Sequence, residues 1–421
     1  MRLGRASAGA ALALSLTGLA LPVAPAGAST GLECLSVGAD STPRVDTDAT
    51  SRPFEDLRVG EAQRLVRGQP GTPVRVAVLD SGVADSPLVD VAARQQLGTT
   101  SKDLVSGHGT AVAGLIAGHE RSNGKAMGFS PDAEIVDVRV YDTDTPDTTA
   151  DPPQTGVTPE ALVEGLDWVA RNADALNIKV ANISLAVEPG TELEAAVERA
   201  WRADVVVVAS SGNRPQEGQL NYDRFAEYRA GEDAAGSVAP AGYDHVVAAN
   251  ATVAGAGDVD LSDFVLQNSA TDVAAPTAGA VSLAANGSSC LVSDVATSWA
   301  AAEVSGVVAL MRTQFPDDTA PQVVARLLST ADGAADDPTP LRGAGVVQPV
   351  AALTRPLHPD ARGSVPRAEP EQGRTPRATA PEPESDVLAA TREQAVWWGL
   401  LGGGALLLAL LLRPVLARDR D

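Results

Sequence analysis

The 421-residue sequence predicts an α/β fold, a parallel sheet with helices on both faces. The first observation behind this is VRVAVLDSGV at 74–83, a continuous β-branched run of the kind found in strands covered on both sides. The second is the recurrence of such runs in EIVDVRVY (134–141), IKVANISLA (178–186) and DVVVVASS (204–211). The third is what separates them: PEALVEGLDWVARNA, from Pro159, and TELEAAVERAWRA both carry apolar residues at helical spacing. Strands joined by helices of that length run parallel. Ligands of such sheets gather at the carboxyl ends of the strands, and Asp80 stands at one of those ends.

The elements follow in order from the N-terminus. Arg2 and Arg5 precede AGAALALSLTGLALPV and the small-residue site Ala26-Gly27-Ala28, which predicts a secretory signal peptide over 1–28. No twin-Arg pair is present, which points to general export. Residues 29–56 are polar and irregular, an N-terminal extension too short to be an independently folding pro-domain. The α/β body is expected over 57–355. Within it GHGTAVAGLIAG (107–118) places His108 ahead of a small-residue helix, and VATSWAAAEVSGVVAL places Ser298 at the start of another. The acidic stretch YDTDTPDTTADPPQTG (141–156) reads as a surface insertion. Short β segments are expected between 237 and 295 in SVAPA, HVVAAN, DVAAP and AVSLAAN.

The Pro-rich, charged segment from Pro356 to Asp386 lacks the apolar residues of a core and predicts an extended linker, taken to 394. AVWWGLLGGGALLLALLL, residues 395–412, is 18 residues without a charge, long enough for one transmembrane helix. Trp397 and Trp398 lie at one end and Arg413, Arg418 and Arg420 beyond the other. Arginines stay cytoplasmic, so 413–421 is a cytoplasmic tail and the body is extracytoplasmic.

A formal charge of −22 argues against nucleic-acid binding, which needs a positive surface. Asp80, His108 and Ser298 have the chemistry of a hydrolytic triad. A serine is a poor nucleophile until its proton leaves, an imidazole accepts protons near neutrality, and a buried carboxylate orients the imidazole and stabilises its charged form. His119, His245 and His358 lack the glycine-flanked setting and read as structural or exposed.

Asp in D-S-G, His in G-H-G-T and Ser in T-S-x-A-A, in that order, resemble the subtilisin-like serine proteases over most of 74–330. The fold that this implies is the subtilisin-like parallel sheet. NISLA (182–186) is similar to the family's cleft-lining strand, and Asn213, closing SSGN, is similar to its oxyanion asparagine. Two departures stand out. Ala296 replaces the usual Gly two residues before the nucleophile, and Ala302 replaces the Pro four after it. Ala302 suits a helix, whereas Ala296 would be strained where a positive φ is needed, or would narrow the site. Trp299 reads as a packing residue.

Signal peptide, subtilase body, Pro-rich tether and one C-terminal helix with a basic tail together resemble the mycosins. These are membrane-anchored proteases of actinobacterial type VII secretion systems. The resemblance implies proteolysis of secretion-linked protein substrates at the membrane, or alternatively a subtilase-fold scaffold stabilising the secretion complex with little activity. No cofactor is expected, and without a regular D-x-D-x-D-G ligand loop no metal either. The only cysteines, Cys34 and Cys290, both fall in the exported part, where an oxidising exterior permits a disulfide. Two free thiols are the alternative.

Overall fold

The computed structural model describes residues 32–42, 46–66, 73–215, 225, 228, 231–253, 260–333, 337–365 and 388–416. The expected signal peptide lies outside these, as do most of the linker and residues 417–421 of the expected cytoplasmic tail. The chain divides into two units, Met1–Pro366 and Arg367–Asp421.

In the first unit seven strands form one parallel sheet. In chain order they are β1 (Arg75–Asp80), β2 (Val91–Gln96), β3 (Glu134–Arg139), β4 (Ile178–Ile183), β5 (Val206–Ser210), β6 (Val246–Thr252) and β7 (Val273–Pro276). Their order across the sheet is β2-β3-β1-β4-β5-β6-β7. Alternation along each strand divides the core in two. Val76 and Val78 of β1 join the cluster that includes Ile116 and Val304, whereas Ala77 and Leu79 join the one that includes Leu162 and Leu193. Each face needs its own apolar cover, which is why these strands read as unbroken Val and Ala runs.

Helices α1 (Arg52–Asp56) and α2 (Val59–Val66) precede the sheet. The first face carries α3 (His108–Ala117) and α6 (Thr297–Gln314), and the second carries α4 (Pro159–Asn172) and α5 (Thr191–Arg202). Helix α4 starts cleanly because Thr158 caps the Ala161 N–H and Pro159 takes the first turn. Helices α7 (Ala320–Thr330) and α8 (Pro349–Thr354) complete the unit, and β8 (Ala280–Leu283) pairs with β9 (Ser289–Val292) in an antiparallel hairpin.

Several segments differ from the sequence reading. SVAPA is not a strand: it holds part of a 3-10 turn, Ala235–Ser237, and a single bridge from Ala239 to Val187. Edge strand β2 is half exposed, so VAARQQ lacks the apolar run that marks its neighbours. The acidic insertion is rooted in the interior, since Asp142 is fully buried and accepts hydrogen bonds from Thr155, Thr100 and Arg139. Burial pushes its carboxyl upward, but the hydrogen bonds from Thr155, Thr100 and Ser101 bring it below the usual range.

The N-terminal arm is irregular but bound. Cys34 and Cys290 form a disulfide with Cα atoms 4.9 Å apart. Glu33 bridges to Leu291, the Thr47 N–H donates to the Ser289 carbonyl, and the Arg121 guanidinium donates to the carbonyls of Thr47 and Ala49. Past residue 355 the packed unit continues, with the Pro359 carbonyl accepting from Gln322 Nε2.

The second unit contains α9, Ala389–Leu416. Its stretch Ala390–Arg413, 24 residues containing an 18-residue window of mean hydropathy 2.0, is long and apolar enough to cross a membrane.

Candidate active site

Residues that follow the carboxyl ends of four neighbouring strands converge on one cleft. Tyr141 lies beyond β3, Asp80 ends β1, Ser184 follows β4 and Asn213 lies beyond β5. Tyr141, Ser184 and Asn213 line the cleft with His108, Ser298, Trp299 and Ala296. Asp80 is fully buried beneath it and meets His108 Nδ1 through both oxygens, at 2.8 and 3.0 Å.

The D-S-G and G-H-G-T motifs are locked together by short-range geometry. The Ser81 N–H donates to Asp80 Oδ1 at 2.7 Å, and Ser81 Oγ accepts the Gly109 N–H at 3.0 Å. Gly82 has φ +103°, which only glycine adopts without strain. A Cβ on Gly109 would lie 2.6 Å from the Gly82 carbonyl oxygen, so α3 can approach the turn this closely only with glycine there. The two motifs are thus one contact seen from both sides.

Burial alone would lower the His108 pKa. The Asp80 carboxylate opposes this through its charge and hydrogen bond, Asp144 and Asp294 add to the pull, and the net shift is upward from 6.5. The imidazole remains 17% exposed, on the cleft side. Two residues that sequence reasoning left unassigned or read only as packing buttress this pair. Tyr141 donates its phenol proton to Asp80 Oδ1 at 3.0 Å, and burial followed by the Asp80 charge holds that phenol well above 10. The Trp299 indole packs on the His108 ring with centroids 4.9 Å apart and donates Nε1–H to Asp294. Tyr141 carried a usable signal, since it ends an apolar strand run beside that of Asp80.

Ser298 is the second residue of α6 and is almost entirely buried. Its carbonyl accepts from Ser184 Oγ at 2.8 Å, Ser184 accepts from Asn182 Nδ2, and Asn182 Oδ1 accepts from Ser305. Asn and Ser of NISLA therefore brace the helix that carries Ser298. Asn213 accepts through Oδ1 from the Thr297 N–H and hydroxyl at 2.7 and 2.9 Å. That fixes the orientation of its amide, whose Nδ2 is the donor left for a ligand in the cleft.

Ala296 adopts φ −141° and ψ 141°, ordinary extended backbone, so the strain expected if this position demanded glycine is absent. Ala302 lies inside an uninterrupted α6. Of the remaining histidines, His119 pairs with Asp90 at 3.4 Å, and His245 pairs with Glu198 and stacks on Trp201. His358 lies in the segment after α8.

The Subtilase family profile matches residues 71–347. Mycosin-1 of Mycobacterium tuberculosis is 32% identical over 384 residues, 83% of each chain. The M-protease of Shouchella clausii is 30% identical over 311 residues, 73% of this chain and 71% of its own. The structure of the MycP3 protease from the type VII (ESX-3) secretion system superposes with a TM-score of 0.57 at 30% identity, over 78% of this chain and 93% of that one. A subunit in the structure of an intact ESX-5 inner membrane complex gives a TM-score of 0.57 at 25% identity, over 90% and 95%. The chain belongs to the subtilase family of serine endopeptidases, with the mycosins among its most similar relatives.

Proposed function

We propose that the protein is a membrane-anchored endopeptidase that cleaves proteins linked to type VII secretion, using Asp80, His108 and Ser298 through an acyl-enzyme. The observation that carries this is the Asp80–His108 pair, held at 2.8 Å beneath a cleft that also presents Ser298 and Asn213. In this reading His108, its Nδ1–H engaged by Asp80, takes the Ser298 proton at Nε2 as Oγ attacks the scissile carbonyl. The same proton then passes to the leaving amine, and water deacylates the serine by the reverse path. Asn213 Nδ2 and a backbone N–H at the start of α6 donate to the oxygen that becomes negative. Helix Ala390–Arg413 anchors the chain with its catalytic unit outside the membrane, since the basic residues follow the apolar stretch.

A serine-directed fluorophosphonate tests the chemistry. The protein should label, Ser298→Ala should abolish labelling and His108→Ala nearly so. Equal labelling of wild type and Ser298→Ala removes Ser298 as the nucleophile. The subunit similar to this chain in the ESX-5 inner membrane complex favours a second reading, a structural subunit of such a complex. Absence of labelling in a folded, membrane-inserted protein selects that reading. Protease added to cell-wall-stripped cells should release the catalytic unit by cutting within 366–387; protection until permeabilisation reverses the orientation.

A further inference from the structure

We infer that the cleft selects substrates carrying a lysine or arginine close to the scissile bond; this deepens the proteolytic reading and rests on it. Asp144 and Asp294 both line the cleft, and among the described residues no lysine or arginine does. The two carboxylates come from different segments, Asp144 from the loop after β3 and Asp294 from the turn before α6. Both are exposed. Asp294 accepts the Trp299 indole N–H through Oδ1, which fixes the carboxylate in the cleft and leaves Oδ2 to face a ligand. Among the described residues Asp144 receives one hydrogen bond, 3.3 Å from the neighbouring Thr143 hydroxyl. Both charges pull the His108 pKa upward, so both also act on a substrate bound against that imidazole.

The second component is an apolar wall. Leu35 and Val37 of the N-terminal arm line the same cleft. Leu35 follows Cys34, whose disulfide partner Cys290 lies four residues before Asp294, so wall and carboxylate are tied to one strand end. Leu35 is 56% exposed and follows the disulfide-bonded Cys34, which holds its apolar side chain at the surface. An apolar surface beside a carboxylate matches the long aliphatic stem and charged head of lysine or arginine. An acidic substrate side chain would meet like charge from both segments.

The test uses the full-length protein in detergent with internally quenched peptides identical except for one residue on either side of the scissile bond: Arg, Ala or Glu. A neutral fluorophosphonate is run in parallel, at a pH where His108 is neutral in every variant. At low ionic strength kcat/KM for Arg should exceed that for Glu by about tenfold or more, and the ratio should narrow in high salt. Asp144→Asn and Asp294→Asn should each reduce the ratio by about threefold, and Asp294→Lys should reverse the preference at one of the two positions. Normal fluorophosphonate labelling with equal rates for Arg, Ala and Glu overturns the inference alone. Failure to label overturns the catalytic reading beneath it.

Discussion

Removing the disulfide by Cys34→Ser together with Cys290→Ser should destabilise the catalytic unit and loosen one wall of its cleft. The bond closes a loop with a sequence separation of 256, for which the chain-entropy relation gives about 5.5 kcal/mol. Residual structure in so long an unfolded chain lowers this, and about 3–5 kcal/mol is the expected loss. For a unit of this size that is a drop in Tm of roughly 5–10 °C. The arm would not come away as a whole. Thr47 keeps its bonds to Ser289, and Arg121 keeps the carbonyls of Thr47 and Ala49, so the anchorage near α1 survives. Residues 32–42 lose their covalent tie and retain the Glu33–Leu291 bridge and the Asn286 bond to the Ser41 carbonyl. Calorimetry with and without the double substitution measures the first effect, and limited proteolysis followed by peptide mapping measures the second. New cuts should fall before residue 46, and KM should rise as Leu35 and Val37 leave the cleft. A Tm change below about 2 °C with no new cleavage in the arm would refute the reasoning on both counts.

In the proposed mechanism the imidazole must be neutral to take the serine proton, so the upward shift at His108 should put the acid limb of kcat/KM above pH 6.5. Asp294→Asn removes part of the charge that raises it, so the limb should move to lower pH; an unmoved limb contradicts the assignment. Tyr141→Phe deletes a buried donor to the Asp80 carboxylate and should lower kcat/KM by about 1.5–3 kcal/mol of transition-state stabilisation with little change in KM. Asn213→Ala should reduce kcat by about 10²–10³, a magnitude taken from subtilisin, while the fold stays intact by circular dichroism. Glu303 is fully buried with no partner among the described residues for either carboxyl oxygen, and burial pushes its pKa well above 4.5. Between 4.5 and that raised value the folded state binds the extra proton, so wild-type stability falls as pH rises, by about 1.4 kcal/mol per unit. Glu303→Met should therefore gain more over wild type at pH 8 than at pH 5, and a pH-independent difference would contradict this sign.

What was legible in the sequence is what depends on local pattern. The Val runs of β1, β4 and β5 announce strands buried on both faces. Asp80 and His108 were readable as a pair from the chemistry of a carboxylate with an imidazole and from the resemblance that D-S-G and G-H-G-T carry, whereas the glycine contact between the two motifs appears only in the structure. Strand β2 was missed for the complementary reason. At the sheet edge VAARQQ has one solvated side and needs no continuous apolar run. The partners of the site were hidden because they are set by register and not by neighbours in sequence. Tyr141 reaches Asp80 only because β3 pairs with β1 in parallel with Arg139 opposite Asp80. The sequence raised two concerns over Ala296, a strained backbone and a narrowed site, and the observed torsions remove the first. The backbone there is extended, so glycine at this place in relatives speaks of room beside the substrate. That turns a doubt about activity into a question about substrate size. The Ala296 side chain lines the cleft two residues before Ser298, and its methyl occupies space that glycine would leave open. Ala296→Gly should therefore widen the range of bulky residues accepted next to the scissile bond while leaving cleavage of small ones unchanged. Peptide series that vary only in that side chain measure it, and an equal change across all sizes would return the effect to the backbone.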